Sequence, residues 1–336
     1  MGRPCQRFQV IPMGKTRPYA YLLLVALAAL PSRAADLGVP VAGYVASPSQ
    51  PELRAISGVP GSYLFSDPLP LPPGTTSVHV APGKDFALIE MGAAGFAVLS
   101  LSGGAAAHGG ALSGAVSPAD WVAFSPGAQS AILFSSSAQR LQLLTGLPAA
   151  PLLARDWDVS TWPEPPRMAA VSDDGDACVF ASGHSVYLAP PDGPARLLLS
   201  AGEIVSIAAL PNGTDVAVAD RNTASLHLLQ NVTAPAPALR VLASGLAGLG
   251  TIYPSADGGS IWVARPGARA LSSVEIASGA VRTFPSAVAP VRLLPLLGRD
   301  TFLITASPQR PGGVFLWDGS EGRMVLVPAA RVESAQ

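Results

Sequence analysis

From about residue 40 onward the chain is a succession of apolar runs, each ended by a short polar or glycine-containing turn. No run sustains the spacing of an amphipathic helix, so the pattern predicts short strands joined by tight turns. A very apolar, alanine-rich strand, a turn and a second apolar strand recur six times. The copies are SVHVAPGKDFALIE (77–90), WVAFSPGAQSAILF (121–134), MAAVSDDGDACVFA (168–181), SIAALPNGTDVAVA (206–219), TIYPSADGGSIWVA (251–264) and RLLPLLGRDTFLIT (292–305). With Ser172 as the mark, the equivalent positions are Ala81, Ser125, Leu210, Ser255 and Leu296, a mean spacing of about 43 residues. A third strand follows each copy, as in FAVLSLSG and SLHLLQNV, and a shorter fourth follows most, as in ARLLLSA and RMVLVPA.

Four strands at this period make a β-propeller blade. A sheet greasy on both faces stays in solution only when packed between two like sheets, which a ring of blades provides. The expectation is an all-β propeller over residues 43–330. The stretch GYVASPSQPELRAIS (43–57) aligns with GVFLWDGSEGRMVLVP (313–328), as third and fourth strands of a blade. With SYLF (62–65) it makes a short seventh blade. Seven blades are favoured over six plus an appended hairpin, with the ring closed by packing of the first blade on the last.

The small-residue strand, the turns SPG, SDDG, PNG and ADG, and the apolar strand after them resemble the secreted propellers of the WD40-like, TolB and YVTN repeat types. The resemblance covers about residues 40 to 330 and implies a scaffold, not an activity. Those families include binding proteins, periplasmic translocation components and some lactonases. The function expected from it is binding or interaction without catalysis of the protein's own. The alternative is small-molecule hydrolysis of the lactonase kind.

Composition supports the strand-and-turn reading: glycine and proline number 34 each in 336 residues, about a fifth against a usual share of about 12%. Only 13% of residues are charged and the net charge is −1. No basic face is therefore expected, and nucleic acid is not an expected partner. The partner is an unknown macromolecule or a small polar ligand, and the chain is expected to be a monomer.

The N-terminus carries an address. Arg3, Arg7, Lys15 and Arg17 precede the apolar run Tyr19 to Leu30, which is too short to span a bilayer but suits a secretory signal. Ser32 and Ala34 place the cut after Ala34. Residues 1–34 are thus read as a signal peptide, starting at Met1 or Met13, with 35–42 a linker and 331–336 a tail. The mature chain has no expected membrane span and is secreted or periplasmic. Of the two cysteines, Cys5 leaves with the signal, and Cys178 remains as an unpaired, buried thiol.

The turn at SDDGD raises the question of calcium. The carboxylates of Asp173, Asp174 and Asp176 do not alternate as calcium ligands do, and the twelfth position from Asp173 is His184, not a bidentate Glu. It reads as a turn. The four histidines show no metal-ligand spacing, no G-x-S-x-G is present, and no cofactor, metal or catalytic set is expected. The column aligned with Ala123 comprises His79, Ala170, Ala208, Tyr253 and Leu294, with His79 expected to face the channel. The mouth where the inner strands begin is more polar, with Asp120, Trp121, Arg167, Glu203 and Arg292. Together with His79 and Tyr253, these are the candidate ligand-binding residues.

Overall fold

The second strand of each blade explains why the sequence shows apolar runs in place of strand alternation. In Phe86–Glu90, Ala131–Ser135, Cys178–Ser182 and Val216–Asp220 every residue is buried. A strand with one wet face alternates, whereas one between two packed faces has no face to leave polar. The structure is a computed structural model that describes residues 39–47, 50–59, 62–102, 105–162, 164–191, 193–306 and 313–328. The expected signal with its cut after Ala34, the alternative start at Met13, and the tail 331–336 lie outside these residues, as does the side chain of His108.

Seven antiparallel sheets follow one another along the chain, and together they form a seven-bladed β-propeller. Blade 1 (residues 41–65) has three strands; blades 2 (77–112), 3 (121–158), 4 (168–200), 5 (204–243), 6 (252–285) and 7 (290–328) have four each. First strands of neighbouring blades lie side by side, as Met168–Val171 does with Trp121–Phe124 and with Ile204–Ala209. Outer strands are the wettest, with Leu152, Leu197, Leu239 and Leu326 exposed at the perimeter. Among the described residues the core divides into seven apolar clusters, one in each seam between adjacent blades. No helix there is long and apolar enough to cross a membrane.

The sequence alignment of the six copies is reproduced bond for bond. In every one, the N–H of the mark residue (Ala81, Ser125, Ser172, Leu210, Ser255, Leu296) donates to the carbonyl five residues on, at 2.8–3.1 Å. Gly175, Gly213 and Gly258 take the left-handed position of the turn, at φ 81°, 80° and 68°, which explains their place in the pattern.

Blade 1 departs from expectation in one respect. Its strands Val41–Ala46 and Leu53–Val59 are the first and second of the blade, not the third and fourth. Val41–Ala46 lies beside the first strand of blade 2, and its Ala42 carbonyl accepts from the Leu297 N–H at 2.8 Å. The third strand, Ser62–Phe65, lies beside Arg323–Pro328, the outermost strand of blade 7. Two apolar runs around a polar turn match either half of a blade, so hydrophobic pattern alone could not place this hairpin. Gly43 marks its true position: a Cβ there would lie 2.6 Å from Leu296 Cδ2, so the inner strand needs a glycine to approach blade 7. The ring closes by packing, with Ile56 of blade 1 against Leu303, Leu316 and Val327 of blade 7.

Candidate binding site at the mouth of the central channel

Of the polar residues at the strand-start mouth, Asp120, Arg167 and Glu203 are occupied with holding loops or pairing with a neighbour. The Asp120 carboxylate accepts from the Ser136 N–H, and Trp121 stacks on Phe134 at 5.3 Å. Arg167 donates to the Gly183 carbonyl, and Glu203 pairs with Arg221 at 2.7 Å. Arg292 is exposed. Sequence reasoning missed the groups that organise this mouth, Glu90 and Asp220, both at the end of a second strand. Asp220, 1% exposed, accepts from the N–H groups of Gly202, Glu203 and Asn222 and from the Thr223 hydroxyl. Burial alone would raise its pKa, but these bonds outweigh it and hold the carboxyl below its usual range.

His79 lies in the seam between blades 2 and 3, its ring 6.1 Å from buried Phe96. Ser77 Oγ donates to Glu90 Oε2 at 3.0 Å and lies 3.1 Å from His79 Nε2. A hydroxyl has one proton to give, so Nε2–H must donate to Ser77. Burial pushes the His79 pKa below its usual value, against the opposing pull of Glu90.

The opposite mouth, where the turns lie, holds a cavity of about 630 Å³. Its collar is one column of the repeat, the residue after each mark: Pro82, Pro126, Asp173, Pro211, Ala256 and Leu297. Asp173 is the only charged member. Its Oδ1 accepts from the Gly127 N–H at 2.7 Å, so it also bridges blade 4 to blade 3. The neighbouring Asp174 is spent within its own turn, on the Ser172 hydroxyl and on the Asp176 N–H. The SDDGD stretch therefore divides its carboxylates between a turn and the cavity wall.

Tyr253 is the one residue of the expected site that lines this cavity. It lies edge-on to Phe302, with ring centroids 5.7 Å apart. Burial, and secondarily the Asp173 charge, raise its pKa, so the phenol stays protonated and able to donate. Among the described residues its hydroxyl has no hydrogen-bond partner. The other charged lining groups are largely committed. Asp257 pairs with Arg299 at 2.6 Å, and Asp300 Oδ1 accepts from the Ala256 N–H at 2.9 Å. The Ser255 hydroxyl, the Gly259 N–H and Arg299 pull the Asp257 pKa down to about 2. Lys84 is exposed. The collar column was readable in the repeat alignment, where Asp173 stands out among prolines and small or aliphatic residues.

Known proteins extend the fold and nothing finer. No protein-family model matches the chain, and no curated protein does. A functionally unknown protein from Desulfotomaculum acetoxidans is similar at a TM-score of 0.59 and 16% identity, over 87% of this chain and all of that one. A Lactobacillus plantarum protein is similar at 0.56 and 14%, over 86% and 95% of the two chains. The Cps50 (Swd1) β-propeller domain of Myceliophteria thermophila is similar at 0.54 and 12%, over 77% and 88%. At such identities the likeness carries the propeller scaffold alone.

Proposed function

We propose that this chain is an exported binding propeller, without catalysis of its own, whose ligand sits in the turn-side mouth of the central channel. The carrying observation is the collar, in which one residue from each of six blades surrounds a single cavity. Repeated hydrogen bonds hold the turns that bear it, so the site is preformed and loses little ordering entropy on binding. A cavity of this size suits a small molecule or the tip of a larger one.

The lactonase alternative asks His79, Arg167, Glu203 and Arg292 to converge at the other mouth. His79 is instead tied to Ser77 within a seam, Arg167 to Gly183 and Glu203 to Arg221. The Ser77 hydroxyl also lies between His79 and Glu90, whereas a catalytic triad needs the base between serine and acid.

The test is a small-molecule library screened by thermal shift against the wild type, Ala256→Trp and Arg292→Ala. Stabilising compounds should lose their effect on Ala256→Trp, which fills the turn-side mouth, and keep it on Arg292→Ala. The reverse pattern would move the site to the strand-start mouth and overturn the proposal.

A further inference from the structure

We infer that the turn-side cavity receives an organic ammonium group, seated on the Asp173 carboxylate with the Tyr253 hydroxyl beside it. The inference rests on the reading of that cavity as the binding site and adds the chemical class of its ligand. Three observations converge on it.

First, five of the six collar positions carry Pro82, Pro126, Pro211, Ala256 and Leu297, and the sixth carries a carboxylate. A turn does not require that charge, since proline serves in the same place in three other blades. Second, among the described residues no cation pairs with Asp173. Its bond to the Gly127 N–H uses one lone pair of Oδ1, leaving acceptor capacity on both oxygens. Third, Tyr253 lines the cavity beside Asp173, its ring held edge-on by the buried Phe302, and a carboxylate with an aromatic ring and a free hydroxyl next to it is a combination that favours an organic cation.

Competing classes fit less well. An anion would face Asp173 and Asp300 with only exposed Lys84 in its favour, since Arg299 is engaged by Asp257. A divalent metal asks for several hard ligands, and no three His, Cys, Asp or Glu residues cluster among the described residues. A neutral ligand would leave the Asp173 charge without a partner.

The test is calorimetric titration of the purified full-length protein, at low salt and near-neutral pH, with hexylammonium, hexanol and hexanoate. These share a chain and differ in head-group charge. Hexylammonium should bind at least about tenfold more tightly than either of the others and weaken as salt is added. Asp173→Asn keeps an oxygen for the Gly127 N–H and removes the charge. It should weaken hexylammonium binding about tenfold or more while leaving the Tm in place. Tyr253→Phe should weaken it about threefold.

Equal or tighter binding of hexanol or hexanoate, blocked by Ala256→Trp, would overturn the ammonium class and leave the cavity standing as the site. Hexylammonium binding that ignores both Asp173→Asn and Ala256→Trp would overturn the class and the location together. Silence of all three probes would overturn the ammonium class, and the wider library would then decide the fate of the site independently.

Discussion

The two mouths of the channel are built from opposite ends of the same inner strands, yet they spend their polar groups differently. At the strand-start mouth, Asp220 takes four donors from the loop that leads into its own blade and the turn after its strand. Glu90 takes the Ser77 and Ser117 hydroxyls and the Ala119 N–H. These carboxylates are structural, and their acceptor sites are filled from within. At the turn-side mouth the backbone closes its own turns, so the collar residues need not supply hydrogen bonds to keep the loops in place. Asp173 and Tyr253 are thus left with capacity to spare. Charge at a channel mouth is therefore poor evidence of a site until its partners are counted.

The comparison is broken most forcefully at Asp220. Asp220→Ala strips three N–H groups and a hydroxyl of their acceptor in a buried place, and should cost about 3–4 kcal/mol of stability. Chemical denaturation would show it as a lower midpoint, and an unchanged midpoint would refute the structural reading of this mouth. Gly127→Ala probes the turn side. The new Cβ would come within 2.6 Å of Asp173 Oδ2, pushing the carboxylate off its N–H, and should cost about 1–2 kcal/mol. A cost as large as that of Asp220→Ala would erase the contrast between the mouths.

Acid should probe the buried histidines of the blades before it reaches the carboxylates. Burial pushes the pKa of His79 and of His227 below the ordinary value. Their unfolded forms therefore take up protons first. The stability they support is complete above the usual histidine pKa of about 6.5 and declines as pH falls below it, down to their folded values. The turn-side Asp257, by contrast, contributes stability that persists to lower pH, beginning to fade below about 3.8 and lost toward about 2. A Tm that falls modestly on mild acidification in the wild type, and less in His79→Gln, would agree; a flat profile would not. The smallest effect is expected of Arg299→Ala, because its pair with Asp257 is exposed on both sides and should contribute no more than about 0.5 kcal/mol, seen as an almost unchanged Tm.

Much of the fold was legible. The six copies were aligned correctly because the blade turn is local: its donor and acceptor lie five residues apart, and its glycines sit where the backbone turns left-handed. The position of the hairpin 43–57 within its blade is ambiguous in the sequence, because two apolar runs around a polar turn match either half; Gly43 resolves it only through contact with Leu296, remote in sequence but in the adjacent blade at the ring closure. Of the residues expected at a channel site, only Tyr253 lines the turn-side cavity; Asp173 reads in the sequence as a turn residue, though the aligned column of prolines makes it the odd member. His79, expected to face the channel, has its ring 6.1 Å from that of buried Phe96, a neighbour that only packing within the blade reveals.

By itself the sequence determined what depends on near neighbours and on repetition: the strands, the turn that ends each inner strand, the period of the blades, and the all-β ring that buries two apolar faces per sheet. Tertiary structure decided which mouth keeps unspent chemistry. Whether a carboxylate is free or consumed depends on donors brought from elsewhere in the chain. Glu90 meets Ser117 and Ala119, and Asp173 meets Gly127 on one side and the space before Tyr253 on the other. Those meetings exist only once neighbouring blades have packed together.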